Sequence, residues 1–538
     1  MTGLGGSEML DLVLRNGRVL DGSGNPWFWA DVGVRDGVVA AVGDVPEEAR
    51  ETVDVGGAVV CPGFIDGHTH SDLTIFDRSH AEIKLRQGVT TEVVGNCGMT
   101  AAPCRREASE PLRAYVEPIL GKATTRWCWE TVAKYVDALT EAQPAENVAT
   151  YVGHNTLRVA AMGFDNRVAS VDELARMAGM LEEALQAGAI GLSCGLMYAP
   201  GRYAPSEELS ELSAVLRQHG GLLAAHIRGE GGSLLRSVEE VVRVAEQNNV
   251  PLQVSHLKAA GKSNWGKVAQ AMQVIEDARD RGVDVTCDVY PYTAGATSLT
   301  TLLPPWALEG GIERTLERLR NAESRKRVKA ELRHEQAGWD NLVASTGWDS
   351  VYISSLGGGS DSGLEGKNLA EISGARGVDP AECMMDMLVE QGGAVSMVFF
   401  HAADADVDRV LAWDKSLVAS DSLHGQGAKP HPRLYGTFPR VLAKYVRETG
   451  SLSLSEAVRK MTSFPARRFK LGKRGTIAPG YAADLVVFDP ETVRDEATYA
   501  DPKRFASGIS YVCVNGTTCV DAGHYRESRS GEVIRRVG

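Results

Sequence analysis

VVCPGFIDGHTH (residues 59–70) carries a β-branched apolar run into two histidines, and the same construction returns in TEVVGNC (91–97), LLAAHIR (222–228), LQVSHLK (252–258) and LVASD (417–421). Each run is too short for a helix and ends in a residue that can bind a metal or move a proton. Long stretches of helical periodicity separate them, which is the βα rhythm of a parallel sheet. VATYVGH (148–154), AIGLSCG (189–195), VDVTCDVYPY (283–292), VYISSLG (351–357) and VSMVFFHAA (395–403) bring the candidate strands to ten. A (β/α)8 barrel uses eight strands, needs about 250 residues and carries its chemistry at the C-terminal strand ends. Residues 62–472 suffice for such a barrel with insertions, one of them expected around 306–350; VYISSLG and VSMVFFHAA are the weakest of the ten strands.

Working outward, both chain ends read as β-structure. DLVLRNGRVLDGSG, WADVGVRDGVVAAVGD and ETVDVGGAVV near the start, and GTIAPGYAADLVVFDP and ISYVCVNGTTCVDAGHY near the end, alternate short apolar runs with Asn-Gly and Asp-Gly turns. Neither end could bury a core alone, so residues 1–61 and 473–538 are expected to pair into one small β-sandwich. The fold class is therefore α/β, a (β/α)8 TIM-like barrel with a β-sandwich built from both termini. GIERTLERLRNAESRKRVKAELRHE (311–335) reads as a single solvated amphipathic helix.

Composition narrows the function. Of 538 residues, 43% are hydrophobic and 24% charged, so the chain is neither disordered nor collagenous. The net charge of −13, without a dominant basic run, argues against a nucleic-acid partner. No apolar run approaches the ~18 residues that cross a bilayer, and MTGLGGSEMLDLVL lacks the basic start of a secretory signal, so a cytoplasmic protein is expected. Nine scattered cysteines do not form a disulfide framework.

The chemistry lies at the strand ends. His68 and His70, two apart on an extended strand, can face one metal. Cys97, His226 and His256 end three other strands, and together these nitrogen and thiolate donors suit zinc. Structural zinc clips use closely spaced pairs, whereas these donors spread from residue 68 to 256, which suits an open catalytic site. Asp421, at the end of the last barrel strand, can take a proton from a metal-activated water and hand it to a leaving amine.

GFIDGHTHSD, VVGNCG, YVGHNTLR, AHIRGEG, VSHLK, DVYPY, SDSLHG with AKPHPRLYGTFPRVL, and IAPGYAADLVVFDP resemble, in the same order, segments of the amidohydrolase superfamily and more narrowly of the D-aminoacylase (N-acyl-D-amino-acid deacylase) family. The resemblance spans nearly the whole chain. It implies zinc-dependent hydrolysis of an N-acyl-D-amino acid, with one tight zinc on Cys97, His226 and His256 and a second, weaker position made by His68, His70 and a bridging Cys97. That thiolate would replace the carbamylated lysine of many amidohydrolases, and Asp421 would be general base and acid. A small-molecule substrate with a free carboxylate calls for Lys258, Tyr198 and Tyr290. Tyr292 competes with Tyr290, and Arg228 and Arg433 are further candidates. Met197, Leu299, Leu302 and Trp306 could wall an apolar pocket. His154 reads as supporting or core, and the loop with His424 and His431 as a lid. A cyclic-amide hydrolase of the hydantoinase or dihydroorotase kind is the alternative, which the Cys97 assignment opposes; a non-catalytic scaffold on the same barrel would have lost metal donors. Oligomeric state is not readable.

Overall fold

Eight short runs of Val, Leu, Ile and Ala, buried on both faces, form the parallel barrel: β1 (Phe64–Asp66), β2 (Val89–Val94), β3 (Asn147–Thr150, resumed at Val152–Gly153), β4 (Gly191–Gly195), β5 (Leu222–His226), β6 (Leu252–Val254), β7 (Val285–Val289) and β8 (Ser416–Val418). The computed structural model describes residues 9–46, 48–123, 127–336, 338–357, 363–424, 427 and 429–536; the first eight residues, and Gly425 and Ala428 of the SDSLHG and AKPHP motifs, lie outside these. Strands β1 to β3 pair in one ladder and β3 to β8 in another, so the two ladders meet where β3 resumes. The ring closes just beyond β8, where Thr69 bridges Ser422, Asp421 N donates to His68 O (2.8 Å) and His70 N donates to Ser422 O (3.2 Å). Closure thus brings the segments holding His68, His70 and Asp421 side by side.

Alternation along the strands sorts the side chains. Ile65, Val93, Ala149, Leu222, Ala224 and Leu417 fill the barrel interior. Glu92, next to Val93, is instead buried with Lys84 of helix Arg78–Leu85, whose ammonium lies 3.0 Å from its carboxylate. Burial of such charges is tolerable only because they are paired.

VYISSLG and VSMVFFHAA stand outside the barrel. With Ala294–Ser298 they make an antiparallel three-stranded sheet, Val395–Phe400 in the middle and Val351–Leu356 at its side. The excursion between β7 and β8 is therefore wider than 306–350, and it has its own core, including Leu302, Leu319, Val328 and Met397. The expected single helix over 311–335 is two, Gly311–Arg320 and Ala322–Glu331. Asn321 breaks it: its side chain accepts from Ser324 N at 3.0 Å and caps the second helix, the local bond with which asparagine competes against continued helix.

Both chain ends enter one nine-stranded sheet. Leu10–Val19 pairs in parallel with Ala49–Asp54 along its first half and with Val59–Pro62 along its second, and the latter is the antiparallel neighbour of Leu485–Phe488. A bridge from Val38 to Ala482 brings the far edge back, so the sheet closes around Leu14, Val32, Val60, Leu485 and Tyr511. Among the described residues no helix is long and apolar enough to cross a membrane.

Candidate active site

Three residues at the barrel mouth have left-handed backbones: Cys97 (φ +53°), His256 (φ +35°) and Asp421 (φ +50°). For side chains other than glycine such dihedrals are uncommon and cost of order 1–3 kcal/mol, so the surroundings must hold them. His256 N donates to Asp288 Oδ1 (2.8 Å) and Asp421 N to His68 O (2.8 Å). Gly98, next to Cys97, donates its N–H to Ser193 Oγ (3.0 Å) on β4. These turns carry the chain off each strand end while its side chain stays in the mouth.

The result is a buried donor cluster. Cys97 Sγ lies 3.3 Å from His68 Nε2, 3.5 Å from His226 Nδ1 and 3.5 Å from His256 Nε2. Sulfur and nitrogen ligands on one tetrahedral first-row cation would stand about 3.5 Å apart, which matches these sulfur–nitrogen distances, and the donors of His68, Cys97, His256 and Asp421 all lie within 4.8 Å of one another. Burial alone would raise the Cys97 thiol, but His68 and His226 beside it outweigh this and hold it well below the usual thiol range, which favours the thiolate a metal needs. His70 Nε2 is 3.2 Å and His68 Nε2 3.4 Å from Asp421 Oδ1, so the carboxylate borders the cluster. Burial would raise Asp421 too, yet Arg433, His68 and His256 keep it well below the ordinary carboxylate range.

Surrounding residues fix the rings. Asp288 Oδ1 sits 3.2 Å from His68 Nδ1, leaving Nε2 to face the sulfur. Glu230 Oε1 lies 3.0 Å from His256 Nδ1 and accepts from Lys258 Nζ at 2.5 Å. Carboxylates behind imidazoles orient the tautomer and raise its basicity. Arg433, fully buried, pairs through Nη1 with Asp421 Oδ2 (2.9 Å) and lies over the Tyr290 ring at 4.7 Å. Asp66 and Lys84 tie both neighbours of Asp421: Ser420 N donates to Asp66 Oδ1 (2.9 Å) and Lys84 Nζ to Ser422 Oγ (2.9 Å).

The cleft above the cluster is lined by Lys258, Tyr290 and His401 on one side and by Tyr198 and Met197 on the other. A side chain at Gly295 would meet Tyr290 Oη at 3.2 Å and His401 Nε2 at 2.8 Å, so glycine there leaves room between polar groups. Burial, with Lys258 nearby, lowers His401 to about 3, which keeps it neutral at physiological pH. Tyr198 packs against His226 with ring centroids 4.8 Å apart and planes tilted by 58°, its hydroxyl 3.2 Å from Thr297 Oγ1.

His68, His70, Cys97, His226, His256 and Asp421 are thus brought together, with Tyr198, Lys258 and Tyr290 in the same cleft. Other candidates are not. Tyr292 packs under Arg440 and against His431, and Arg228 is committed to Glu240 at 2.7 Å. His154 is a core histidine, its Nε2 2.7 Å from Glu208. Leu299 and Leu302 are core of the excursion, and Trp306 Nε1 donates to Glu331 there; only Met197 of the apolar set reaches the cleft. His431 lies 2.9 Å from Ala294 O and His424 packs on His80, so neither lines the cleft. Asp288, Glu230, Lys84 and His401 went unassigned. Asp288 opens DVYPY, Glu230 lies four residues past His226 and His401 follows the strand run VSMVFF, so proximity to strand ends was the available signal; Lys84 had none.

A second group, His80, Glu92 and Glu146, also has metal-type donors, but it lies behind the barrel wall and Lys84 already supplies the cation there.

The comparisons agree with this geometry. Residues 51–520 match the family described as Amidohydrolase family. The chain is 38% identical to a D-aminoacylase of Alcaligenes xylosoxydans xylosoxydans over 98% of both chains, and 37% identical to an N-acyl-D-glutamate deacylase of the same organism over 98% of this chain and 97% of that one. Among solved structures, the N-acyl-D-glutamate deacylase from Bordetella bronchiseptica, complexed with zinc and a phosphonate mimic of the tetrahedral intermediate, superposes with a TM-score of 0.82 at 34% identity, covering 98% of this chain and all of that one.

Proposed function

As a member of the amidohydrolase family, in its D-aminoacylase branch, the chain is a metal-dependent hydrolase, and we propose that it cleaves the amide bond of N-acyl-D-amino acids to a carboxylate and a free D-amino acid. The observation that carries this reading is the thiolate-centred cluster, Cys97 Sγ within 3.5 Å of three imidazoles with Asp421 at its edge.

Zinc is the proposed metal, held tightly by Cys97, His226 and His256, with a weaker second position at His68, His70 and the shared Cys97. When bound, it supplies Lewis acidity that brings the pKa of water toward about 7 and polarises the scissile carbonyl. Asp421 Oδ1 takes a proton from the attacking water and returns it to the departing nitrogen as the C–N bond breaks. Its ion pair with Arg433 keeps it ionised for the first transfer. Lys258 and Tyr290 receive the substrate carboxylate in the room left by Gly295, and Tyr198 donates from the opposite wall. Lys258 Nζ is held by Glu230 Oε1 (2.5 Å), the His256 carbonyl (2.9 Å) and His256 Nδ1 (2.7 Å), which fixes its charge at the edge of the cleft. With Lys258 and Arg433 both paired and Arg228 committed elsewhere, Leu342 and Phe399 in the lining favour an apolar amino-acid side chain.

The test is hydrolysis of paired N-acetyl-D and N-acetyl-L amino acids with apolar, acidic and basic side chains, metal content being measured on the same sample. Turnover of the D forms in proportion to bound metal is expected. Equal turnover of both enantiomers, or full turnover by metal-free protein, would overturn the reading.

A further inference from the structure

A second pocket opens from the cleft on the side of Met197 and Tyr198, away from Lys258. Its mouth is shared with the cleft through Met99, Ile119, Met197 and Tyr198. Beyond that mouth it runs between helix Ser109–Leu120, Phe164 and the start of helix Gly311–Arg320, walled by Pro118, Leu308 and Ile312, and no charged side chain lines it. The excursion between β7 and β8 thus builds one wall of a chamber that the barrel alone would leave open.

We propose that this chamber is an acyl subsite that takes an extended, uncharged hydrocarbon acyl chain. The inference rests on the proposed deacylase reading and on the order of groups in its substrate. The amide must lie beside Cys97 and Asp421. The amino-acid side chain and the carboxylate both hang from the carbon on its nitrogen side, so a carboxylate at Lys258 and Tyr290 keeps the nitrogen end of the amide near them. Whatever is bonded to the carbonyl carbon then points the other way, towards Met99, two residues beyond Cys97, and into the chamber. Met99, Met197 and Ile119 at the mouth, beside the neutral hydroxyls of Tyr198, Thr297 and Thr301, adapt to a passing alkyl chain, and a lining without a cation offers no ion pair to a dicarboxylic acyl group.

The experiment compares N-acetyl, N-butanoyl, N-hexanoyl and N-octanoyl derivatives of one D-amino acid. Each methylene buried should raise kcat/KM about fourfold until the chamber fills, because burying one is worth about 0.8 kcal/mol. Ala114→Trp, at an exposed position on the chamber wall, and Ile312→Phe on the facing helix should each lower the octanoyl-to-acetyl ratio by tenfold or more. The two variants lie on different elements, and melting curves identify any that misfolds. A kcat/KM independent of acyl length, with the acetyl substrate turned over, would overturn the inference and leave the deacylase reading standing. Ala114→Trp discriminating among amino-acid side chains instead of acyl chains would also overturn it. Failure to hydrolyse any of the four would sink the deacylase reading and this inference with it.

Discussion

Gly98 stands between Cys97 and the barrel wall, and replacing it by alanine separates backbone strain from displacement of the sulfur. Its φ is +76°, and an added Cβ would lie 2.4 Å from Asn155 Oδ1 and 2.7 Å from the backbone nitrogen of Gly195. Gly377, which caps helix Leu369–Arg376, has a φ of +68° with nothing within 4 Å of its Cβ. Both substitutions incur the left-handed penalty of a Cβ, about 1 kcal/mol. Only Gly98→Ala adds a clash, and Gly195 cannot retreat because it pairs with His226 in the β4–β5 ladder. The movement therefore falls on residues 97 and 98. A displacement of about 1 Å at a reacting group costs on the order of 10²-fold in rate. Gly98→Ala should lose about 10²-fold in kcat/KM and hold less metal after dialysis, while Gly377→Ala melts slightly lower but keeps both. Steady-state kinetics, elemental analysis and thermal melts on the pair give the comparison. Equal kinetics and equal metal content would refute the claim that the Cys97 turn is wedged in place.

Asp421→Asn keeps the side-chain shape and suits the left-handed backbone, so it should retain the metal and lose kcat by roughly 10²-fold or more; full activity would remove Asp421 from its role. Lys258→Met should raise KM for N-acyl amino acids much more than for the corresponding N-acyl amines, which lack the carboxylate; equal effects on both would move the anchor elsewhere. His80 reports on the buried network behind the barrel wall. Burial would lower it from 6.5, but Glu92 and Glu146 outweigh this and carry it to about 9. Its protonated ring therefore stabilises the fold fully below about pH 6.5, by on the order of 3 kcal/mol, and that contribution disappears as pH rises through about 9. Denaturant midpoints of wild type and His80→Gln should differ most at pH 6 and converge near pH 10; a constant gap would contradict the assignment.

The barrel was legible because its strands end in residues that announce chemistry. LLAAHIR and LQVSHLK put His226 and His256 at the ends of adjacent parallel strands, and of the ten runs the two weakest, VYISSLG and VSMVFFHAA, are the two outside the barrel. What sequence could not show depends on contacts between remote segments. Tyr290 and Tyr292 are equivalent in a strand pattern, and only the packing of Arg440 and His431 takes Tyr292 out of the cleft. Arg228 and Arg433 were equally plausible as cations, yet one meets Glu240 from its own βα unit and the other reaches Asp421 across a turn. Lys84 sits in an ordinary helical stretch, and its role beside Asp66 and Ser422 appears only when the barrel closes. One wall of the proposed acyl chamber includes Ile312, from a stretch whose charge density suggested a solvated face.

The central claim is that residue 97 contributes sulfur to a metal shared with imidazoles from other strands, and X-ray absorption at the zinc edge of the metal-loaded protein tests it directly. One sulfur scatterer at about 2.3 Å, alongside nitrogen or oxygen at about 2.0–2.1 Å, is expected, with the sulfur shell lost in Cys97→Ser. A wild-type spectrum fitted by nitrogen and oxygen alone would contradict the account.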